Sequence, residues 1–170
     1  MQLAVENKRK AVVAVLLGAA PKDGKPTAKV PGLHEAAENG NEALVKRLLK
    51  AGADVNGLAT GTRWSPLMYA GFMGYIGVAK VLLDAGADVN LVNRAGQTAL
   101  SVAVHGAQMA PDVRSNEKPP RSYVKTVRVL LAKGADAMVD KWDGMTPLEM
   151  AKESGLKSLI PILKQAGRKR

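Results

Sequence analysis

Runs of aliphatic residues recur along this chain, and each run leads into a similar polar turn. Val78, Val81 and Leu82 have the spacing of one face of an α-helix. Gly86 follows this run, and a glycine just past a helix can adopt the left-handed conformation that ends it. The pattern therefore predicts a short helix over 76–85, with one apolar face and a turn behind it.

The turn and the start of the preceding helix both repeat. Three copies of the turn read Lys50-Ala-Gly-Ala-Asp-Val-Asn56, Asp84-Ala-Gly-Ala-Asp-Val-Asn90 and Lys133-Gly-Ala-Asp136. A hydroxyl residue, suited to cap a helix, lies at Ser65, Thr98 and Thr146, followed by proline or alanine and then leucine. Ser65 and Thr98 are 33 residues apart, and Thr98 and Thr146 are 48 apart, which is 33 plus an insertion of 15. Each unit is thus predicted as helix–turn–helix–hairpin, and it buries its apolar face only by stacking on its neighbours.

The repeated unit resembles the ankyrin repeat. Residues 31–56 carry its pattern as Pro31-Gly-Leu33-His34-Glu-Ala36-Ala37-Glu-Asn-Gly40, then Leu48-Leu49, then Gly52-Ala-Asp-Val-Asn56. Further matches cover 65–90, 98–136 with the insertion, the helices of a last unit over 146–167, and a degenerate first unit over 4–20. The sequence departs from the pattern at Gly32, Arg63, Met68, Ser101 and Glu149. These departures affect single turns and leave the expected fold unchanged.

The resemblance implies an all-α ankyrin-repeat solenoid of about five helix–turn–helix units with β-hairpin connections. The chain would form one domain, 1–170, with units at approximately 1–25, 26–59, 60–92, 93–140 and 141–170. It also implies that His34 makes a structural hydrogen bond between neighbouring turns. Asn56 and Asn90 are expected to shape the turns in which they occur.

The resemblance further indicates a partner-binding face. Trp64 would lie on a hairpin, and Phe72 and Met73 on the exposed end of the first helix, facing the concave groove. The aligned units have the polar pairs Glu38-Asn39 and Glu153-Ser154 there. Later units would extend this face through Arg94, Gln97, His105, Trp142 and Met145. Exposed aromatic residues beside arginine are typical of binding hot spots, although the two tryptophans could simply pack on adjacent hairpins.

The insertion is predicted as a loop over approximately 106–122, in the fourth unit. Three prolines exclude one long helix, although Gly106 to Ala110 can extend the first helix by a turn. Its basic residues are Arg114, Lys118 and Arg121. Inserted loops of repeat proteins often bind partners, but a surface loop without a function is also tolerated at little cost.

Composition excludes several kinds of chemistry. The 170 residues include no cysteine, which removes disulfides and thiolate sites, and histidine occurs only at positions 34 and 105. Ser101 and His105 are four residues apart, but no third group is placed to orient them, so we attribute the spacing to chance. The glycines between Gly71 and Gly77 do not follow a strand, as a phosphate-binding loop would. We expect no enzyme activity, no catalytic residue, no metal site and no cofactor.

The net charge of +10 leaves two functions open. Residues 34–100 carry six basic and six acidic residues, so the excess of positive charge lies towards the two ends. The first hypothesis is a non-enzymatic interaction module or adaptor that holds a protein partner in the groove and at the hairpin tips. The alternative is a basic surface that binds nucleic acid, an anionic membrane or an acidic protein. We expect nucleic acid to bind only weakly and non-specifically.

The expected setting is a soluble monomer in the cytoplasm or in an exported bacterial compartment. Lys8-Arg-Lys10 followed by apolar residues to Ala20 has the layout of a secretory signal, but Glu6 and the repeat phase favour a first repeat instead. The longest apolar run, Ala11 to Leu17, is too short to cross a bilayer.

Overall fold

The computed structural model describes residues 32–110, 121–138 and 144–168. The predicted first unit at 1–25 and the middle of the insertion lie outside these ranges. Within them the chain forms eight α-helices: α1 (Leu33–Glu38), α2 (Glu42–Lys50), α3 (Pro66–Phe72), α4 (Ile76–Asp84), α5 (Ala99–Met109), α6 (Arg121–Ala132), α7 (Pro147–Glu153) and α8 (Ile160–Ala166). The helix predicted over 76–85 is α4.

The helices pack in two layers. Helices α1, α3, α5 and α7 contact one another in chain order, while α2, α4 and α6 pack behind them and also contact in order. Each helix of the second layer contacts the helix before it in the chain, and α8 packs on α7. The core between the layers is aliphatic, with leucines 67, 82, 100 and 130 fully buried. The all-α repeat solenoid is confirmed, and the count of about five units stays a prediction.

Hydroxyl residues begin the first helix of three units. The Ser65 hydroxyl accepts the Met68 N–H at 3.3 Å, and the Thr146 hydroxyl accepts the Glu149 N–H at 3.3 Å. Glu149 completes a capping box, because its carboxylate accepts the Thr146 N–H at 2.8 Å. These bonds from the Thr146 backbone and hydroxyl lower the pKa of the Glu149 carboxyl. Each cap satisfies N–H groups that have no partner inside the helix, which contributes about 1 kcal/mol.

Asparagine side chains connect the turn of one unit to the turn of the next. The Asn56 side-chain oxygen accepts the Asp88 N–H at 2.8 Å, and that of Asn90 accepts the Asp136 N–H at 2.9 Å. Because these bonds cross between units, Asn56 and Asn90 do more than shape their own turns. The expected hydrogen bond of His34 is confirmed, since its Nε2 lies 2.7 Å from the carbonyl oxygen of Gly57.

The connections differ from the predicted β-hairpins. No β-strand occurs in the described ranges, and the prediction of strands is wrong there. The connection before α3 is instead a tight turn in which the Ala59 N–H donates to the Trp64 carbonyl at 2.9 Å. The connection before α5 is a turn one residue shorter, with the Asn93 N–H donating to the Gln97 carbonyl at 3.0 Å. With only these few backbone bonds, no ladder of the kind that defines a strand can develop.

Two glycines allow neighbouring first helices to approach closely. A Cβ atom on Gly71 would lie 2.8 Å from the carbonyl oxygen of Ala99, and one on Gly106 would overlap the carbonyl of Phe72. Gly106 is inside α5, which extends to Met109 and so includes the extra helical turn expected there. The predicted loop over 106–122 therefore overlaps α5 at its start and α6 at its end.

Candidate functional site

A groove of about 310 Å³ opens beside α1, α3 and the turn that precedes α3. Six residues line it: Glu38, Thr62, Trp64, Tyr69, Phe72 and Met73. We call this site the aromatic groove. The structure thus brings together Trp64, Phe72 and Met73, which the sequence analysis singled out. It adds Glu38, Thr62 and Tyr69, which were not predicted as site residues.

The wall of the aromatic groove belongs to a chain of ring contacts. Trp64 lies at the centre, with its ring centroid 5.2 Å from that of Tyr69 and 5.4 Å from that of Phe72. The chain continues to His34 on one side, 6.2 Å from Tyr69, and to His105 on the other, 5.8 Å from Phe72. The five rings come from three successive units. Tilted and edge-to-face pairs of this kind are favourable by about 0.5–1.5 kcal/mol each, so the wall is held in place before any partner binds.

The turn before α3 fixes the position of Trp64. Arg63 has φ of 54°, a left-handed conformation that favours glycine. The matching residues of the next two units are Gly96 and Gly144, and they also have positive φ. Beside it, the Thr62 hydroxyl accepts the Trp64 N–H at 3.3 Å and lies 3.4 Å from the Tyr69 hydroxyl. These contacts join the turn to α3, so that Trp64 packs along the helix.

The rings of the aromatic groove remain accessible. Trp64, Tyr69 and Phe72 are half-buried, and Met73 is exposed to 37%. His105, at the far end of the ring contacts, is half-buried in α5. This burial lowers the pKa of His105 below 6.5, while a hydrogen bond with Gln108 acts in the opposite direction. Burial therefore favours the neutral form of the imidazole that contacts Phe72.

The other residues predicted for the binding face do not join the aromatic groove. Arg94 is exposed on the next turn, and Met145 is half-buried against the core. Gln97 is only 6% exposed, because its side-chain oxygen accepts a hydrogen bond from the Asn93 amide at 2.8 Å. This contact uses the Gln97 side chain inside the turn, and a role of Gln97 in partner binding stays a prediction.

Some predicted residues cannot be placed. Trp142, Arg114 and Lys118 lie outside the described residues, and Arg121 begins α6 but its side chain is not described.

Ser101 has a structural role in the cap of α5. It is buried at the start of α5, and its hydroxyl accepts the Thr98 N–H at 3.1 Å. Over the described ranges, no three His, Cys, Asp or Glu side chains group as a metal site would require. None of the helices in those ranges is long and apolar enough to cross a membrane.

The stacked helix pairs, the turn-to-turn hydrogen bonds and the open groove define a helical repeat protein with a surface site. A family model for ankyrin repeats (3 copies) matches residues 1–93 and 33–111. The chain belongs to the ankyrin-repeat family. Ankyrin repeats are a protein–protein interaction fold that is in general not enzymatic.

Several curated proteins are similar to this chain. Ankyrin repeat and SAM domain-containing protein 6 of Danio rerio is 30% identical over 162 residues, which cover 84% of this chain and 22% of that protein. A putative ankyrin repeat-containing protein of Treponema pallidum (strain Nichols) is 41% identical over 86 residues, 51% of this chain and 28% of its own length. Protein phosphatase 1 regulatory subunit 12A of Mus musculus is 39% identical over 71 residues, which cover 42% of this chain and 7% of that protein. The chain thus spans less than a third of each of these relatives.

Proposed function

We propose that this chain is a non-enzymatic interaction module and that it holds a segment of a protein partner in the aromatic groove. The observation that carries this proposal is the half-exposed wall of Trp64, Tyr69 and Phe72 beside the exposed Met73. Aromatic side chains that are rigid before binding lose little conformational freedom on binding, so they are effective anchors.

Comparison between units supports a role beyond folding. The position of Phe72 at the end of α3 corresponds to Glu38 in α1 and Glu153 in α7, and both of these residues are exposed. The stack therefore forms without apolar side chains at this position. Leaving Phe72 and Met73 accessible adds apolar surface to the molecule, which a partner would cover.

A peptide selection tests the proposal. Random peptides displayed on phage are selected against the purified chain, and the enriched peptides are titrated against variants. Met73→Ala and Met138→Ala form a matched pair, because both methionines are exposed and only Met73 lines the aromatic groove. We expect Phe72→Ala to weaken binding by more than about 2 kcal/mol and Met73→Ala by about 1 kcal/mol, with Met138→Ala unchanged.

Unfolding curves of the same variants separate binding from folding. If Phe72→Ala unfolds the chain and leaves the affinity per folded molecule unchanged, Phe72 is a core residue and the proposal fails. Peptides that bind Met73→Ala and the parent chain equally would place the binding site elsewhere.

The alternative, a basic surface for nucleic acid or anionic lipid, rests on the net charge of +10. The aromatic groove does not support it, because its lining includes the acidic Glu38 and no lysine or arginine. Binding to DNA that depends on phosphate contacts weakens steeply as salt increases. We expect any such binding to vanish near physiological salt, and tight, sequence-selective binding at that salt would favour the alternative.

A further inference from the structure

We infer, building on the proposed function, that the aromatic groove recognises an arginine side chain of the partner, stacked on the ring wall with its guanidinium group towards Glu38. The proposal names the chemistry that selects the partner, and it rests on the charge of the groove lining and on the arrangement of the rings.

The lining pairs one carboxylate with an aromatic surface. Glu38 is the only one of the six lining residues with a carboxyl side chain, the other five being uncharged, and it is exposed at the end of α1. Neither ion pair seen in the described ranges, Lys46–Glu42 or Lys133–Asp84, uses it. A cation is attracted both by a carboxylate and by the face of an aromatic ring, whereas an anion is repelled by both. The lining therefore complements a positively charged side chain.

The ring arrangement favours arginine over lysine. Trp64 is inclined by 57° to Tyr69 and by 68° to Phe72, so the three rings are not stacked flat, and all three are half-buried rather than fully covered. A guanidinium group is planar, stacks on a ring and still directs N–H groups at a carboxylate, whereas the ammonium group of lysine is a compact and strongly hydrated charge. Met73 supplies a flexible apolar surface for the aliphatic part of the arginine side chain.

The stretch of chain that holds the aromatic groove is balanced in charge. The chain has 25 basic and 15 acidic residues, while residues 34–100, which hold the aromatic groove, have six of each. All of the net charge of +10 therefore lies outside 34–100. Arg63 is exposed on the turn beside Trp64, but it does not line the groove. Exposed charges more than about 8–10 Å from a bound side chain are largely screened, and Glu38 is the one charged residue of the lining itself.

Peptide pools test the proposal directly. Four pools of short capped peptides have random flanking residues and share one fixed central residue, which is arginine, lysine, citrulline or norleucine. Citrulline has nearly the shape of arginine without its charge. Binding is followed by the fluorescence of Trp64 in a Trp142→Phe chain, so that Trp64 is the only tryptophan. An exposed cation–π contact and an exposed ion pair each contribute about two- to fivefold, so we expect arginine to exceed citrulline by about tenfold.

A matched pair of variants assigns the selectivity to Glu38. Glu38 is the last residue of α1, and Glu153 is the last residue of α7, where it is exposed and does not line the aromatic groove. Glu38→Gln removes the ion pair and leaves the cation–π contact, so the preference for arginine over citrulline should fall from about tenfold to about two- to fivefold. Glu153→Gln should leave the preference at about tenfold. Equal loss in both variants would indicate a general charge effect and would overturn the proposal.

The remaining outcomes separate this proposal from the one on which it rests. Equal binding of the arginine and citrulline pools, or of the arginine and lysine pools, overturns the assignment to arginine. If the norleucine pool binds best and Phe72→Ala abolishes that binding, the aromatic groove is still a partner site, but one for an apolar side chain. If no pool binds at millimolar concentration, the arginine proposal fails, and the phage selection alone decides whether the groove takes a partner.

Discussion

Gly106 sets the distance between α3 and α5, and Gly106→Ala tests how strictly the stack depends on it. The added Cβ atom would overlap the backbone carbonyl of Phe72. A backbone group cannot rotate away as the end of a side chain can, so one of the two helices has to shift. Since Phe72 lines the aromatic groove, this shift should disturb the groove as well as the core.

The expected loss of stability is the difference of two effects. Inserting a methyl group into a well-packed helix contact costs about 1–3 kcal/mol, while alanine is favoured over glycine in a helix by about 0.5–1 kcal/mol. Because the overlap is with a backbone group, the packing cost should lie in the upper part of its range, about 2–3 kcal/mol, and Gly106→Ala should lower the free energy of unfolding by about 1–2.5 kcal/mol. Gly77 is the control, because it also lies in a helix, α4, but its added Cβ would meet only the carboxylate of Glu42, the movable end of a side chain. Gly77→Ala should leave stability unchanged or raise it by up to about 1 kcal/mol.

Urea unfolding followed by far-ultraviolet circular dichroism measures both variants. The refuting result is a Gly106→Ala chain as stable as the parent, or stabilised as much as Gly77→Ala. Either result would show that α3 and α5 can separate without cost and that Gly106 does not fix the helix spacing.

Two further predictions concern packing and pH. Leu82 is fully buried in α4 between α2 and α6, so Leu82→Ala should lower the free energy of unfolding by about 2–5 kcal/mol. Leu163→Ala in α8, which packs mainly on α7, should lower it by less. Equal losses in urea melts would contradict a stack in which each unit contacts only its neighbours. Burial lowers the pKa of His105 below 6.5, so the unfolded chain binds more protons than the folded chain in mildly acidic solution. The free energy of unfolding should therefore fall as the pH drops below about 6.5, and His105→Gln should lose this dependence. An NMR titration that places the pKa of His105 above 6.5 would reverse the expected sign.

Much of the fold could be predicted because burial and helix geometry act locally. The aliphatic spacing predicted 76–85 as a helix, and α4 covers Ile76–Asp84. Ser65, Thr98 and Thr146 marked the helix starts, since a hydroxyl cap depends only on the residues next to it. The hairpin strands were not predicted correctly, because strand formation depends on how many backbone bonds two segments make, and the sequence motif does not show this.

The site was harder to predict because contacts decide it. Phe72 and Met73 stood out because the matching residues in two other units are polar. Tyr69 did not stand out, since its counterparts Glu35, Val102 and Met150 include both a charged residue and apolar ones. One signal was available: Tyr69 lies three residues before Phe72, on the same face of a helix. Gln97 has the same repeat position as Trp64, but the nearby Asn93 amide holds it inside the turn, and repeat alignment cannot reveal such a contact.

Buried positions stabilise the stack and accessible positions do not, which explains how one unit can hold a site that the others lack. Stability comes from the buried leucines, the caps and the turn-to-turn bonds of Asn56 and Asn90, which recur from unit to unit. In three of the first helices the last position is free of these demands, since it is Glu38 in α1, Phe72 in α3 and Glu153 in α7. A change there can alter what the surface binds at little cost to folding. Two such positions, Glu38 of one unit and Phe72 of the next, line the aromatic groove. The carboxylate of the first unit and the rings of the second therefore lie side by side at the boundary between the two units.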